Sequence, residues 1–349
     1  MKLLFRADGN AAIGLGHVMR CLALAQAARE AGHSSTFVMT PNEEKISDRL
    51  QEEHCAVISM KARPGSREDA TETANLAREH GADWIIVDGY QFDGDYQKTI
   101  REGGVHLLFI DDYEHAKQYA ADIILNQNFY AEEMEYQSDG VSPQLLLGQE
   151  YALLRQEFVQ WKRHDRLITE EATKILISMG GADSENTTGR ILQCLQNLDR
   201  TGLEITIVSG AANPHKKLLE KAAVISRHPT HLLFNVTNMA ALMAEADIGI
   251  TAGGSTCYEL LYMGLPAIVF ITADNQERNV HALEQAHAIV NAGWNTKAND
   301  RSLISLLISV LSDPSLRRST SMKGQGIVDG LGCSRVLSVM QHLTHESRQ

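Results

Sequence analysis

The sequence has no excess of basic charge. Lys and Arg number 32 against 44 Asp and Glu, a net charge of −12 with His neutral. A nucleic-acid protein usually presents a basic surface, so no nucleic-acid partner is expected, although a local basic pocket for a charged small molecule stays open. No run of 18 apolar residues exists, so no membrane span is expected. The N-terminus lacks the charged, apolar and small-residue succession of a signal peptide. The five cysteines, Cys21, Cys55, Cys194, Cys257 and Cys333, form no CxxC pair. Scattered and odd in number, they fit reduced thiols in a cytoplasm better than a disulfide framework or a zinc knuckle.

What is present is ordinary for a globular chain: 44% apolar and 22% charged residues. A length of 349 residues suggests two domains. Short apolar runs at 2–8, 36–39, 55–59, 84–90, 106–112 and 122–128 alternate with helical segments. This is the pattern of a parallel sheet covered by helices. A second series follows at 174–186, 204–210, 231–236, 248–254 and 267–272, with 288–293 as a further short strand. Domains of 1–156 and 157–349 are expected, with the last helix packing back on the first. Residues 302–349 read as helices broken by GQG (324–326) and DGLG (329–332). Residues 129–170 are polar and carry no long apolar run, and 130–142 within them reads as a lid or an idle loop. The stretch 161–172 is charged and leads into the second series.

Ligands of such sheets bind beyond the carboxyl ends of the strands. The stretch RADGNAAIGLGHVMRC (6–21) places Gly14, Gly16 and His17 there, between a strand and a helix. Glycines let main-chain N–H groups approach a ligand, and a helix N-terminus favours anions. The stretch reads as an imidazole beside an anion site, or as a plain βα turn with a half-exposed histidine. Asp8, Asp88, Tyr90, Asp111, Asp112 and Gln127 end strands at the same edge.

In the second half, TAGGSTCYELLYMGLP (251–266) sets Gly253, Gly254, Ser255 and Thr256 between a strand and a helix. Ser255 and Thr256 are good capping residues, and free amides there suit a diphosphate. Glu259, in the first turns, either serves the helix dipole or accepts the two hydroxyls of a ribose. Asp274, Asn275 and Gln276 follow another buried strand; neutral amides suit sugar hydroxyl and acetamido groups, whereas Asp274 alone reads as a solvated cap. Gly180 and Gly181 bring backbone near a base or phosphate, or merely turn the chain. Asp93-Gly94-Asp95 has the form of a cation site, but it reads better as a turn that starts a helix. The other histidines, such as His106, His115 and His281, have no i,i+4 His or Cys partner, so no zinc site and no metal are expected.

These stretches, with VDGY, IDD, LNQN, GQEYALLRQEF, SMGGAD, DNQ and VDGLGCSRV, occur in one order over nearly the whole chain. Together they resemble the bacterial UDP-sugar hydrolases of pseudaminic acid synthesis and the related spore-coat polysaccharide proteins. More distantly they resemble the GT-B transferase that adds N-acetylglucosamine to lipid I. The resemblance implies an α/β GT-B fold, with two Rossmann-like domains facing each other across a cleft. UDP would lie mainly on the C-terminal domain and the sugar on the N-terminal one. The reaction implied is hydrolysis of UDP-2,4-diacetamido-2,4,6-trideoxy-β-L-altrose, or a close analogue, to free sugar and UDP.

By the same resemblance the catalytic residue is His17. The sugar is assigned to Tyr90 and Asn275, and UDP to Glu259 and the 253–256 turn. Position at the strand edges or in the turns adds Gly14, Gly16, Gln276, Asp8, Asp88 and Gln127 on the sugar side. Gly180 and Gly181 join the UDP side. No cofactor is expected, and a monomer is favoured. Two other readings are carried: a GT-B glycosyltransferase passing a UDP-sugar to a polysaccharide or lipid acceptor, and a non-catalytic nucleotide-sugar-binding protein.

Overall fold

A computed structural model describes residues 1–9, 14–41, 44–138, 140, 142–161, 166–210 and 213–346. Four residues of the first glycine turn (10–13) and four of the charged segment before the second series (162–165) lie outside that set, as do 139 and 141 of the stretch 130–142. The chain forms two compact units, Met1–Gln156 with Gly330–Gln349, and Glu157–Asp329.

The first unit is a βα series: β1 (Lys2–Ala7), α1 (Gly16–Glu30), β2 (Ser34–Met39), α2 (Glu44–Glu52), β3 (Ala56–Ser59), α3 (Arg67–His80), β4 (Trp84–Asp88), α4 (Gly94–Glu102), β5 (His106–Ile110), β6 (Ile123–Asn126) and β7 (Gln144–Leu147). All strand pairs are parallel and the order is β3-β2-β1-β4-β5-β6-β7. β7 falls where a domain end was expected, in LLLGQEYALLRQEF. Near-continuous apolar runs such as WIIVD are what a strand buried on both faces requires. The strand order reverses between β1 and β4, and the register sets Ala7 beside Asp88. A crevice beyond the carboxyl ends of these two strands is the natural ligand position.

A short helix, α5 (Gln156–Val159), marks the change of unit. The second unit runs β8 (Lys174–Ser178), α6 (Thr187–Gln196), β9 (Glu204–Ser209), α7 (Lys216–Val224), β10 (Thr230–Phe234), α8 (Met239–Glu245), β11 (Ile248–Ala252), α9 (Thr256–Tyr262), β12 (Ala267–Ile271), α10 (Asp274–Gln285), β13 (Val290–Trp294), α11 (Asp300–Ser312) and α12 (Pro314–Ile327). Its sheet is also parallel, in the order β10-β9-β8-β11-β12-β13, and reverses between β8 and β11.

α13 (Gly332–Glu346) returns to the first unit. Cys333, Val336, Leu337 and Met340 join the core formed by Val18, Cys21, Leu22 and Ala25 of α1. The Trp84 indole donates to Thr344 Oγ1 at 2.8 Å. Covered by the sheet on one side and α13 on the other, α1 is buried almost all round, although only its sheet face is patterned in the sequence.

The glycines of GQG do not break a helix: α12 runs through them. A Cβ at Gly324 would lie 2.8 Å from Leu261 Cδ2 and 3.3 Å from its Cα, so this glycine lets α12 approach α9 closely. The actual breaks are at Asp313-Pro314 and at 328–331, where the first is set by Asp313 capping α12 through Ser315 and Leu316 N–H groups.

The stretch 129–138 is a packed strap. Tyr130 donates to the Asp112 carbonyl at 2.7 Å, Tyr136 accepts from the Asn126 amide at 2.8 Å, and its ring lies edge-on to Tyr119.

Candidate functional site

His17 is the second residue of α1, and its ring is buried at the β1/β4 crevice. Its Nδ1–H donates to Asp88 Oδ1 at 2.7 Å. A carboxylate there fixes the neutral tautomer, leaving the lone pair on Nε2. One helical turn on, Arg20 closes the arrangement from behind. Its Nε and one terminal nitrogen donate to the two Asp88 oxygens, both at 2.6 Å. The guanidinium also reaches Asp112, at 2.6 and 3.1 Å. Burial opposes ionisation of Asp88, but the charge of Arg20 and the hydrogen bonds donated by Arg20 and His17 outweigh it. The carboxyl is held well below the usual range.

Asp112 is a hub. Besides Arg20, its Oδ2 accepts from the Tyr90 hydroxyl at 2.6 Å. Its main-chain carbonyl accepts from Asn126, Asn128 and Tyr130. Tyr90 meets the His17 ring edge-on, with centroids 4.8 Å apart. Arg20 and Asp112 were not singled out as site residues, although the signals were present. Arg20 interrupts an apolar helix three residues after His17, a spacing that puts both on one face. Asp112 lies two residues beyond the buried strand β5.

The other sugar-side candidates are largely committed to the protein. Asp88 serves His17 rather than a ligand. Asp8 accepts from the Thr40 N–H and hydroxyl at 2.8 and 2.9 Å and pairs with Arg6 at 2.8 Å. Gln127 accepts from the Leu153 N–H at 2.9 Å. Gln276 accepts from the N–H groups of Gly253 and Thr272 and from the Thr272 hydroxyl, tying together the ends of β11 and β12. Gly14 has positive φ (77°), and among the described residues, near neighbours in the chain aside, no atom lies within 4 Å of where a Cβ on Gly14 or Gly16 would stand. Asn275 is half-buried in the first turn of α10.

Two helix starts, of α6 and α9, follow β8 and β11. The start of α6 is taken: Asp183 accepts from the Thr187 and Thr188 N–H groups at 2.8 and 3.0 Å. Gly180 and Gly181 shape the turn before it, where the Gly181 carbonyl would lie 2.1 Å from a Cβ at Gly210. The start of α9 differs. Ser255 is in helical conformation and its side chain makes no capping bond, contrary to the expectation from residue type. The half-buried Gly254, Ser255 and Thr256 donate no main-chain bond to the described residues outside helices and strands.

Gly253, expected at the diphosphate, has its N–H on Phe270 O at 2.9 Å. A Cβ on it would be 2.5 Å from Val280 Cγ2, so this glycine serves the packing of α10. Glu259 is buried in the first turn of α9. Nearby Cys257 has its thiol pushed up to about 12 by burial and by Glu259, which leaves it unreactive.

Asp93 caps α4, accepting from the Tyr96 N–H at 2.9 Å, so the D-x-D string starts a helix. Among the described residues no group of three His, Cys, Asp or Glu is placed to hold a metal. No helix among them is long and apolar enough to cross a membrane.

Beside Tyr90, a second histidine is fixed by two acceptors. His115 donates through Nδ1 to Asp111 at 2.6 Å and through Nε2 to the Phe92 carbonyl at 3.1 Å. Two acceptor-only partners require both ring nitrogens protonated. Burial opposes that charge, but the hydrogen bond and charge of Asp111, then the Phe92 carbonyl and Asp112, raise the pKa above its ordinary value. The stabilisation is therefore complete below the unfolded histidine value of about 6.5 and lost as pH rises through the folded pKa. In an NMR titration, His115 should show a midpoint above about 6.5, and Asp111→Asn should lower it. A midpoint unmoved by Asp111→Asn would refute this account.

The model of the glycosyltransferase family 28 C-terminal domain matches residues 168–327. The UDP-2,4-diacetamido-2,4,6-trideoxy-β-L-altropyranose hydrolase of Campylobacter jejuni is 32% identical over 283 residues, covering 79% of this chain and 94% of that protein. The spore coat polysaccharide biosynthesis protein SpsG of Bacillus subtilis is 25% identical over 340 residues, 97% of each chain. The Methanocaldococcus jannaschii protein MJ1062, uncharacterised, is 28% identical over 277 residues, and the match spans 55% of its length. The crystal structure of Acinetobacter baumannii MurG superposes with a TM-score of 0.66 at 16% identity, covering 98% of this chain and all of that one. The fold is therefore GT-B.

Proposed function

This chain belongs to the family of the Campylobacter jejuni UDP-sugar hydrolase and SpsG, and from that premise we propose that it hydrolyses a UDP-linked diacetamido-trideoxy sugar, without a metal and with inversion, to the free sugar and UDP. The sugar is UDP-2,4-diacetamido-2,4,6-trideoxy-β-L-altrose or a close analogue, and the product enters nonulosonic acid or spore-coat polysaccharide synthesis. The observation that carries this reading is the buried chain Arg20–Asp88–His17. It holds an imidazole in one tautomer at the carboxyl edge of the first sheet. Water attacks the anomeric carbon from the face opposite the diphosphate, and His17 Nε2 takes its proton. The bond from the anomeric carbon to the diphosphate oxygen breaks, and its electron pair leaves with UDP. A base so placed contributes about 10²–10⁴-fold.

The leaving charge falls to the amides of Gly254, Ser255 and Thr256, donors that need no reorganisation. Glu259 takes the ribose hydroxyls, and Tyr90 and Asn275 take the sugar. Gly14, Gly16, Gly180 and Gly181 let backbone approach the ligand.

The deciding assay is UDP release from the diacetamido-trideoxy nucleotide in acceptor-free buffer containing a chelator. NMR would follow the first anomer, and UDP-N-acetylglucosamine would run alongside. Rapid release with an inverted product is expected. Release that waits for an added polysaccharide or lipid acceptor would make the protein a transferase. UDP binding without turnover under either condition would make it a nucleotide-sugar binder.

A further inference from the structure

The sugar-side residues read from the sequence leave few open groups, because Asp8, Asp88, Gln127 and Gln276 are committed elsewhere. Tyr113 follows Asp112 in the turn after β5 and is 40% exposed. It touches Tyr90, itself 37% exposed, at 5.1 Å between centroids. Scattered exposed apolar residues are ordinary. Two adjoining open rings, one of them edge-on to His17, are a different matter.

The two rings also differ in what they offer. The Tyr90 hydroxyl is held by Asp112, so that residue is fixed in place. The Tyr113 hydroxyl bonds to none of the described residues, and the ring is steadied from behind by His115, at 5.6 Å. His115 is itself clamped by Asp111 and the Phe92 carbonyl. Tyr113 thus presents a supported aromatic face one ring further from His17 than Tyr90.

We infer that Tyr113 is a specificity-determining residue whose ring, next to Tyr90, receives the acetamido methyl on the side of the pyranose remote from the anomeric carbon. This rests on the proposed UDP-sugar reading. With the anomeric carbon at His17, the substituent across the ring, on C4, extends past Tyr90 toward Tyr113. The sugar in the name of the Campylobacter relative carries acetamido groups at C2 and C4 and lacks the C6 hydroxyl. Such a sugar is unusually rich in methyl groups. An aromatic face is apolar and carries negative charge density, so it favours polarised C–H groups over a hydroxyl, whose water would be lost without a partner.

The test compares Tyr113→Ala and Tyr113→Phe with the parent. For the diacetamido-trideoxy nucleotide, Tyr113→Ala should lower kcat/KM about tenfold or more, chiefly through KM, with kcat changed by no more than about threefold. UDP affinity, read by calorimetry, should not change, and Tyr113→Phe should behave as the parent. Selectivity over UDP-N-acetylglucosamine, which has a hydroxyl at C4, should shrink with Tyr113→Ala. An unchanged kcat/KM in Tyr113→Ala, or an equal loss of UDP affinity, would overturn the inference. So would Tyr113→Phe failing as badly as Tyr113→Ala, because the hydroxyl and not the ring would then be the contact.

If the parent releases no UDP, the hydrolase reading falls by itself, and titration of the intact nucleotide sugar still decides Tyr113. Its affinity relative to UDP must drop in Tyr113→Ala. An unchanged ratio, or no binding to the parent, refutes the contact.

Discussion

Replacing Arg20 by methionine should destabilise the first unit by about 3–5 kcal/mol, the cost of removing one partner from a buried ion network. The guanidinium is only 6% exposed and is shared by two buried carboxylates, Asp88 and Asp112. Methionine fills much of the volume but leaves both charges facing each other without a cation. At roughly 2–4 °C per kcal/mol for a unit of this size, thermal unfolding should move down by about 10 °C. The pH dependence carries a second signature. A carboxyl depressed in the folded state, as Asp88 is, stabilises above its unfolded pKa of about 4 and loses that contribution as pH falls through the folded value. The gap between parent and Arg20→Met should therefore be full at neutral pH and shrink below about pH 4. A loss under about 1 kcal/mol at pH 7 would mean that the two carboxylates find other relief and that Arg20 is not their keystone.

The second large effect is on chemistry and not on folding. His17→Ala should reduce UDP release about 10²–10⁴-fold while UDP affinity and thermal stability stay near those of the parent. Asp88→Asn addresses the same step differently. The amide can donate to Nδ1, so the ring can adopt the tautomer with its proton on Nε2, and the base is lost although the imidazole remains. Its rate should fall with that of His17→Ala, and the double variant should be little worse than either single one, because the two residues act as a unit. Should His17→Ala retain turnover but lose UDP affinity, the imidazole is a binding group. Silence in both measurements would remove the relay from the mechanism altogether.

Much of this molecule is legible without coordinates. The alternation of short apolar runs with helical segments is a local signal, since burial on both faces needs apolar residues at every position of a strand. The turn before α1 and the turn before α9 are local too, because glycines between a strand and a helix mark where the backbone must bend sharply. His17 could be placed at the mouth of a helix for that reason. β7 is hard to read because its apolar run is only three leucines long, Leu145 to Leu147, with Gln144 and Leu145 exposed, too short to distinguish a strand from the end of a domain. The break expected at GQG failed for a different reason. Glycine weakens an isolated helix, but in α12 the demand for close contact with α9 outweighs the propensity.

The composition and the local patterns alone determined the parallel α/β class, two βα series, and the stretches from which a site would be built. Only the tertiary structure decided which of those residues meet. Asp88 lies 71 residues from His17, and Asp112 lies 92 from Arg20. Their encounter depends on β1 lying between β2 and β4, an order that no local pattern encodes. The same holds for α13, which crosses the whole second unit in sequence to cover α1. A polar residue at a strand end looks alike whether it awaits a ligand or is already satisfied by the protein. The difference lies in partners remote in sequence, because a buried charge must be compensated wherever the fold brings a counter-charge to it.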